Sequence, residues 1–303
     1  MTEAILDDAA LVDLALATCK DNWATAAIPA RVEQPDYDRA FLAQICRLAF
    51  EKCGNDVGNY RKALADFVHL SEEFVRLQIE LDRDGKYKYS SFEEVRAIVY
   101  DNPEVMEGRY LNGLLISQAL WMNHRKIYSY FVDDFCSNNP PAGKVLEVPT
   151  GSGVYVTEFA RLNPGWEARG VDLSRSSVEF TREIARLRGC SVTVSNENIL
   201  EHSGDSTYDR LICGELLEHL ERPEELLVQL KKMTAPGGTV FLTTAIWAAN
   251  IDHIYLFVNA RQVRTMLEKF FTIVSERVIP VFDNVDPESD KTPINYACIL
   301  SPK

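Results

Sequence analysis

VLEVPTGSGVYVTEF, Val145 to Phe159, passes from a short apolar run through a glycine-bearing loop into an amphipathic run. The pattern reads as strand, tight loop and helix. Gly151 and Gly153 let the backbone approach a bound molecule, and the helix behind them presents free amides. Glu147 ends the first strand. In ARGVDL, Asp172 ends the second, where a carboxylate accepts hydrogen bonds from ribose hydroxyls. A G-x-G after a strand is weak evidence alone, because many α/β folds carry one.

Working outward, short β-rich runs alternate with helical ones. KVLEVP precedes VTEFARL, ARGVDL precedes SVEFTREIARLRG, and SVTVSN follows. DRLICGE then precedes PEELLVQLKKM, GTVFLTTAI precedes RQVRTMLEKF, and FTIVSERVI and NYACIL close the series. Such alternation predicts an α/β fold, a doubly wound Rossmann-like sheet of seven strands. No helix separates the final two runs, so the last strand is expected to pair antiparallel. Pro223 with Glu224 and Glu225 reads as a helix start, and Gly237-Gly238 as its stop.

Residues before this region read as helix after helix. Phe41, Ile45, Leu48 and Ala49 share one face, as do Tyr60, Leu64, Phe67 and Val68; Ser91 and Glu94 form a capping box. Asn102-Pro103 opens a long aromatic segment through Phe131. The loop SNNPPAGK supports a helical lid or substrate domain over 1–138 and an α/β domain over 139–303.

A net charge of −13 disfavours a nucleic-acid partner, since phosphate backbones reward clustered Lys and Arg. Seven scattered cysteines without C-x-x-C argue against a zinc knot or disulfide framework and suit a reducing cytoplasm. The beginning, MTEAILDDAA, is acidic where a signal peptide is basic, and no apolar run reaches membrane-span length. The expectation is a cytoplasmic protein with a small-molecule substrate and no membrane partner. Its oligomeric state is left open, a homodimer included.

The full spacing resembles the class I S-adenosylmethionine (SAM)-dependent methyltransferases over about residues 143–302. An E-x-P-x-G-x-G loop is followed by an acidic end to strand two, a polar residue after strand three, DRLICGE as strand four, and APGG before TVFLTT. Pro149 stands where the family has its first glycine, and Asn198 where it often has Asp. The resemblance implies a SAM site from Glu147, Pro149, Thr150, Gly151, Gly153, Asp172, Leu173, Asn198, Ile199 and Gly214. An NAD-binding Rossmann domain predicts a third glycine at position 156, which is Val156.

GELLEHLERP, from Gly214, places Glu215, Glu218 and His219 on one face if the stretch is helical. With His253 in AIWAANIDHIYLF they resemble the E-x-x-E-H…H set of two metal-dependent groups, the small-RNA 2′-O-methyltransferases and the ubiquinone-pathway O-methyltransferases. That resemblance implies a divalent cation, Mg²⁺ or Mn²⁺, Fe²⁺ or Zn²⁺, held by the four side chains beside SAM. A cation lowers the pKa of a hydroxyl nucleophile and fixes its direction. Without one, His253 or Glu215 serves as catalytic base. The ordinary alternative is that these residues are solvated or backbone-bonded.

The aromatic segment is the candidate substrate wall, with Tyr110, Gln118 and His124, and Tyr255 from beyond His253. The functional expectation is methyl transfer to a small, partly apolar metabolite, by analogy in secondary metabolism. The rivals are a SAM-using enzyme that cyclises or eliminates the aminobutyryl arm, and a non-catalytic SAM-binding subunit.

Overall fold

A computed structural model describes residues 6–202 and 207–303. The strands are β1 (Lys144–Glu147), β2 (Glu167–Asp172), β3 (Thr193–Asn196), β4 (Tyr208–Cys213), β5 (Thr234–Ile246), β6 (Phe271–Pro280) and β7 (Ile294–Pro302). They form one sheet in the order β3-β2-β1-β4-β5-β7-β6. Strands β1 to β5 pair parallel, while β7 runs antiparallel to both β5 and β6. The cause is the connection: most parallel neighbours here are reached through a helical crossover, whereas β6 turns directly back into β7. The order reverses between β1 and β4, which opens a crevice beyond their C-terminal ends.

The helical half contains Asp8–Lys20, Arg39–Lys52, Val57–Asp84, Leu111–Leu120 and Met122–Tyr130. Asp7, Asp38 and Asp56 cap the first three, each accepting from an amide three residues on at 2.7–2.9 Å. The aromatic segment that opens at Pro103 is not one continuous helix. π-turns occupy Met106–Tyr110 and Phe131–Phe135, and Trp121 is extended (φ −88°, ψ 121°) between two helices. Its ring packs on Phe67 and Phe74 and its indole N–H donates to Ser71 Oγ at 3.2 Å. Packing on the Val57–Asp84 helix accompanies this break, which no proline or glycine announces.

The expected Gly237-Gly238 stop is also displaced. The helix Pro223–Met233 ends at Thr234, which is extended and already pairs with Tyr208, so sheet pairing ends it first.

The apolar cores run across residue 138. One joins Leu11, Ile45, Phe67 and Leu115 to Val154, Phe180 and Ile184. A second joins Leu77, Leu81 and Tyr87 to β4 and β5, and a third joins Ile127, Tyr130 and Phe131 to Val145 and Phe241. No helix among the described residues is long and apolar enough to cross a membrane.

Candidate active site

A cavity of about 1010 Å³ opens at the crevice. Its floor is the glycine loop: Glu147, Pro149, Thr150 and Gly151, with Asp172, Leu173, Asn198, Ile199 and Gly214 around it. Asp172 ties this floor together. Its Oδ2 accepts from Gly151 N at 2.9 Å and its Oδ1 from Ser174 N at 2.8 Å. Burial pushes its carboxyl up to about 6, against those hydrogen bonds, which lower it. Glu147 Oε2 accepts from Val156 N at 3.0 Å, fixing the loop to the following helix. Asn198 uses Oδ1 to cap the next turn at Leu200 N, 3.1 Å away.

Gly153 lies outside the cavity lining. It has φ +70°, and a Cβ there would meet Thr181 at 2.8 Å, so it permits close packing of the Arg175–Leu187 helix. The Val148–Pro149 peptide is cis.

GELLEHL is not the helical face its spacing suggested. Only Leu217–His219 form a 3₁₀ turn, and Glu215 before it has a left-handed backbone (φ +48°). The backbone turns there because Glu215 N is held by Thr243, at 3.0 Å from its carbonyl and 3.1 Å from its Oγ1. The turn still gathers the side chains: Glu218, His219 and His253 offer ligand atoms all within 4.8 Å of one another. Glu215 stands outside this trio. Asn295 Nδ2 donates to its Oε2 at 2.8 Å, and its buried Oε1 has no partner.

Glu218 is fully buried and accepts from Thr244 Oγ1 at 2.6 Å and Ala245 N at 3.0 Å. Its backbone carbonyl accepts from Ile254 and Tyr255, so it pins the loop carrying His253. Burial raises the Glu218 carboxyl well above its ordinary value and the neighbouring Glu215 charge adds to this; burial raises Glu215 to about 7. Burial lowers both imidazoles, His253 to about 4, so both are neutral near pH 7. His253 Nδ1 faces Ala248 O at 2.8 Å and therefore carries its proton, leaving the other nitrogen a free lone pair.

The remaining wall comes from the helical half. Tyr110, Gln118, Trp121 and His124 line the same cavity. Tyr255 does not; it packs on Phe257, with ring centroids 4.8 Å apart.

Residues 146–240 match a family model described as a methyltransferase domain. The sheet order and the glycine loop at the end of β1 agree with that match. The chain carries a class I SAM-dependent methyltransferase domain.

Among curated proteins, the chain is 32% identical over 103 residues to the ubiquinone biosynthesis O-methyltransferase of Proteus mirabilis, covering 33% of this chain and 41% of that one. It is 28% identical over 108 residues to the protein of the same name from Rickettsia conorii, covering 36% and 37%. The matched part thus spans about two fifths of the length of these relatives. In fold, coclaurine N-methyltransferase bound to N-methylheliamine and SAH superposes with a TM-score of 0.53 at 15% identity, covering 86% of this chain and 94% of that one.

Several residues lining the cavity were not among the candidate site residues drawn from the sequence. Asp252 is wholly buried and accepts at Oδ2 from Tyr110 OH (2.7 Å) and Tyr100 OH (3.0 Å). Asn123 Nδ2 donates to Asn295 Oδ1 at 2.7 Å, extending the Glu215 contact into the helical half. Asp252 adjoins His253, which could have drawn notice; Tyr100 and Asn295 sit in ordinary element patterns.

Proposed function

We propose that the chain is a SAM-dependent methyltransferase that methylates an oxygen of a small, partly apolar molecule, with a divalent cation assisting. The observation that carries this reading is the single cavity lined by the glycine loop, by His219 and His253, and by Tyr110, Gln118 and Trp121. The helical half, 1–138, is then the substrate-shaping part and 139–303 the SAM-binding part. The matched relatives, O-methyltransferases by name, support oxygen as the acceptor.

The residues present suit a cation. Buried Glu218 lies with two neutral imidazoles, Glu215 beside it has an unpartnered oxygen, and such a mixed oxygen and nitrogen set suits Mn²⁺, Fe²⁺ or Zn²⁺. Glu218, His219 and His253 would hold it, with Glu215 completing the set. A bound cation would lower the pKa of the acceptor hydroxyl. The chain's own residues do the rest. Gly151 and its neighbours seat the cofactor, Asp172 fixes that loop, and the aromatic wall excludes water and aligns the acceptor behind the methyl group.

Two measurements test the reading. Turnover should yield S-adenosylhomocysteine; methylthioadenosine instead would indicate chemistry on the aminobutyryl arm. Purified protein should hold near-stoichiometric divalent metal, and Glu218→Ala and His253→Ala should each weaken its binding at least ~100-fold. Equal, trace metal in all three proteins would sink cation assistance and leave methyl transfer standing.

A further inference from the structure

The buried carboxylate of Asp252 belongs to neither the cofactor floor nor the trio that could hold a cation. It sits between the two halves of the chain. Tyr110 OH donates to Oδ2 at 2.7 Å, Asn250 Nδ2 reaches Tyr110 OH at 3.4 Å, and Tyr100 OH lies 3.0 Å from the same Oδ2. Tyr100 OH also lies 2.6 Å from His219 Nδ1, which is itself 3.4 Å from Asp252 Oδ2.

Tyr100 has one hydroxyl hydrogen and two neighbours for it. If it went to His219 Nδ1, the phenol's lone pairs would face an anionic oxygen at 3.0 Å in a buried place, a repulsive contact. If it goes to Asp252, His219 Nδ1 must itself be protonated and donate to the phenol oxygen. Every donor then points toward the carboxylate: His219 to Tyr100 to Asp252 from one side, and Asn250 to Tyr110 to Asp252 from the other.

We propose that Asp252 is a positioning residue that, through Tyr100, keeps the proton of His219 on Nδ1 and so leaves Nε2 an open lone pair. His253 reaches the same state by a different route, its Nδ1–H spent on Ala248 O. Two imidazoles thus present unprotonated nitrogens, the form that either a cation or a proton transfer requires. Tyr100 and Tyr110 come from the helical half, so that half completes the histidine centre as well as walling the pocket. The consequence for turnover rests on the methyltransferase reading; the proton position does not.

The test is nitrogen NMR of the metal-free full chain with labelled histidine, the His219 signal being identified by its loss in His219→Gln. In wild type the neutral ring should carry its hydrogen on Nδ1. Asp252→Asn supplies an amide that can donate to Tyr100, reversing the chain, and should shift the hydrogen to Nε2. The same variant should lower kcat about 10–100-fold with the KM for SAM unmoved. A wild-type His219 protonated on Nε2, or an Asp252→Asn protein with an unchanged tautomer, overturns the proposal. The wild-type spectrum alone decides it if the variant fails to fold, and it does so whether or not the chain transfers methyl groups.

Discussion

At the scale of single residues, Glu215 combines two costs. A left-handed backbone at a residue with a Cβ is unfavourable by roughly 1–2 kcal/mol, and its buried Oε1 has no partner. Both fall on one side chain in the cavity wall, the pattern of a residue kept for function. Glu215→Gly should relieve the backbone cost but leave Asn295 Nδ2 without its acceptor, so stability in denaturant unfolding should change by no more than about 1 kcal/mol while turnover falls at least ~100-fold. His124 makes the other residue-scale statement. Burial lowers its imidazole to about 4, and Ser117 Oγ lies 2.9 Å from its Nδ1. The unfolded chain, titrating near the ordinary 6.5, binds more protons than the folded one between pH 6.5 and 4. Stability should thus fall as the pH is lowered through that window, by up to about 3 kcal/mol from this group. His124→Gln should flatten that acid limb in pH-dependent unfolding curves.

At the scale of elements, the loop after β5 carries Asp252 and His253, and the C-terminal part of the Val57–Asp84 helix holds it. Gln78 donates to Trp247 O and accepts from Ala249 N, both at 3.0 Å, and Tyr87 OH donates to Ala248 O at 3.0 Å. Trp247, at φ +47°, begins the loop in a left-handed turn and donates its indole N–H to Asp82. Gln78→Ala would strand two buried backbone groups, costing about 2–4 kcal/mol. Hydrogen exchange at the Ala249 amide should accelerate, with kcat falling more than the KM for SAM rises. Element identity was readable in advance from apolar period: the seven strands and their antiparallel ending followed from run length and missing crossovers. The turn at Leu217–His219 was not, because Thr243 on β5 holds the Glu215 that leads into it, and spacing alone cannot distinguish a helical face from a gathered loop.

At the scale of the molecule, the composition change near residue 140 suggested separable parts, yet each large apolar cluster draws side chains from both sides of it. Heating should give one cooperative transition with calorimetric and van't Hoff enthalpies equal; two resolved transitions would mean the parts fold independently. The sequence by itself determined the sheet, the glycine loop and the candidate ligands on each side of β5. These depend on local periodicity and on backbone freedom at a few glycines. Tertiary structure alone decided which distant side chains meet: Asn123 with Asn295, Gln78 with Ala249, and Tyr100 with His219 and Asp252. Such pairings arise where two packed surfaces enclose polar groups that must find partners, and no short-range pattern records that requirement.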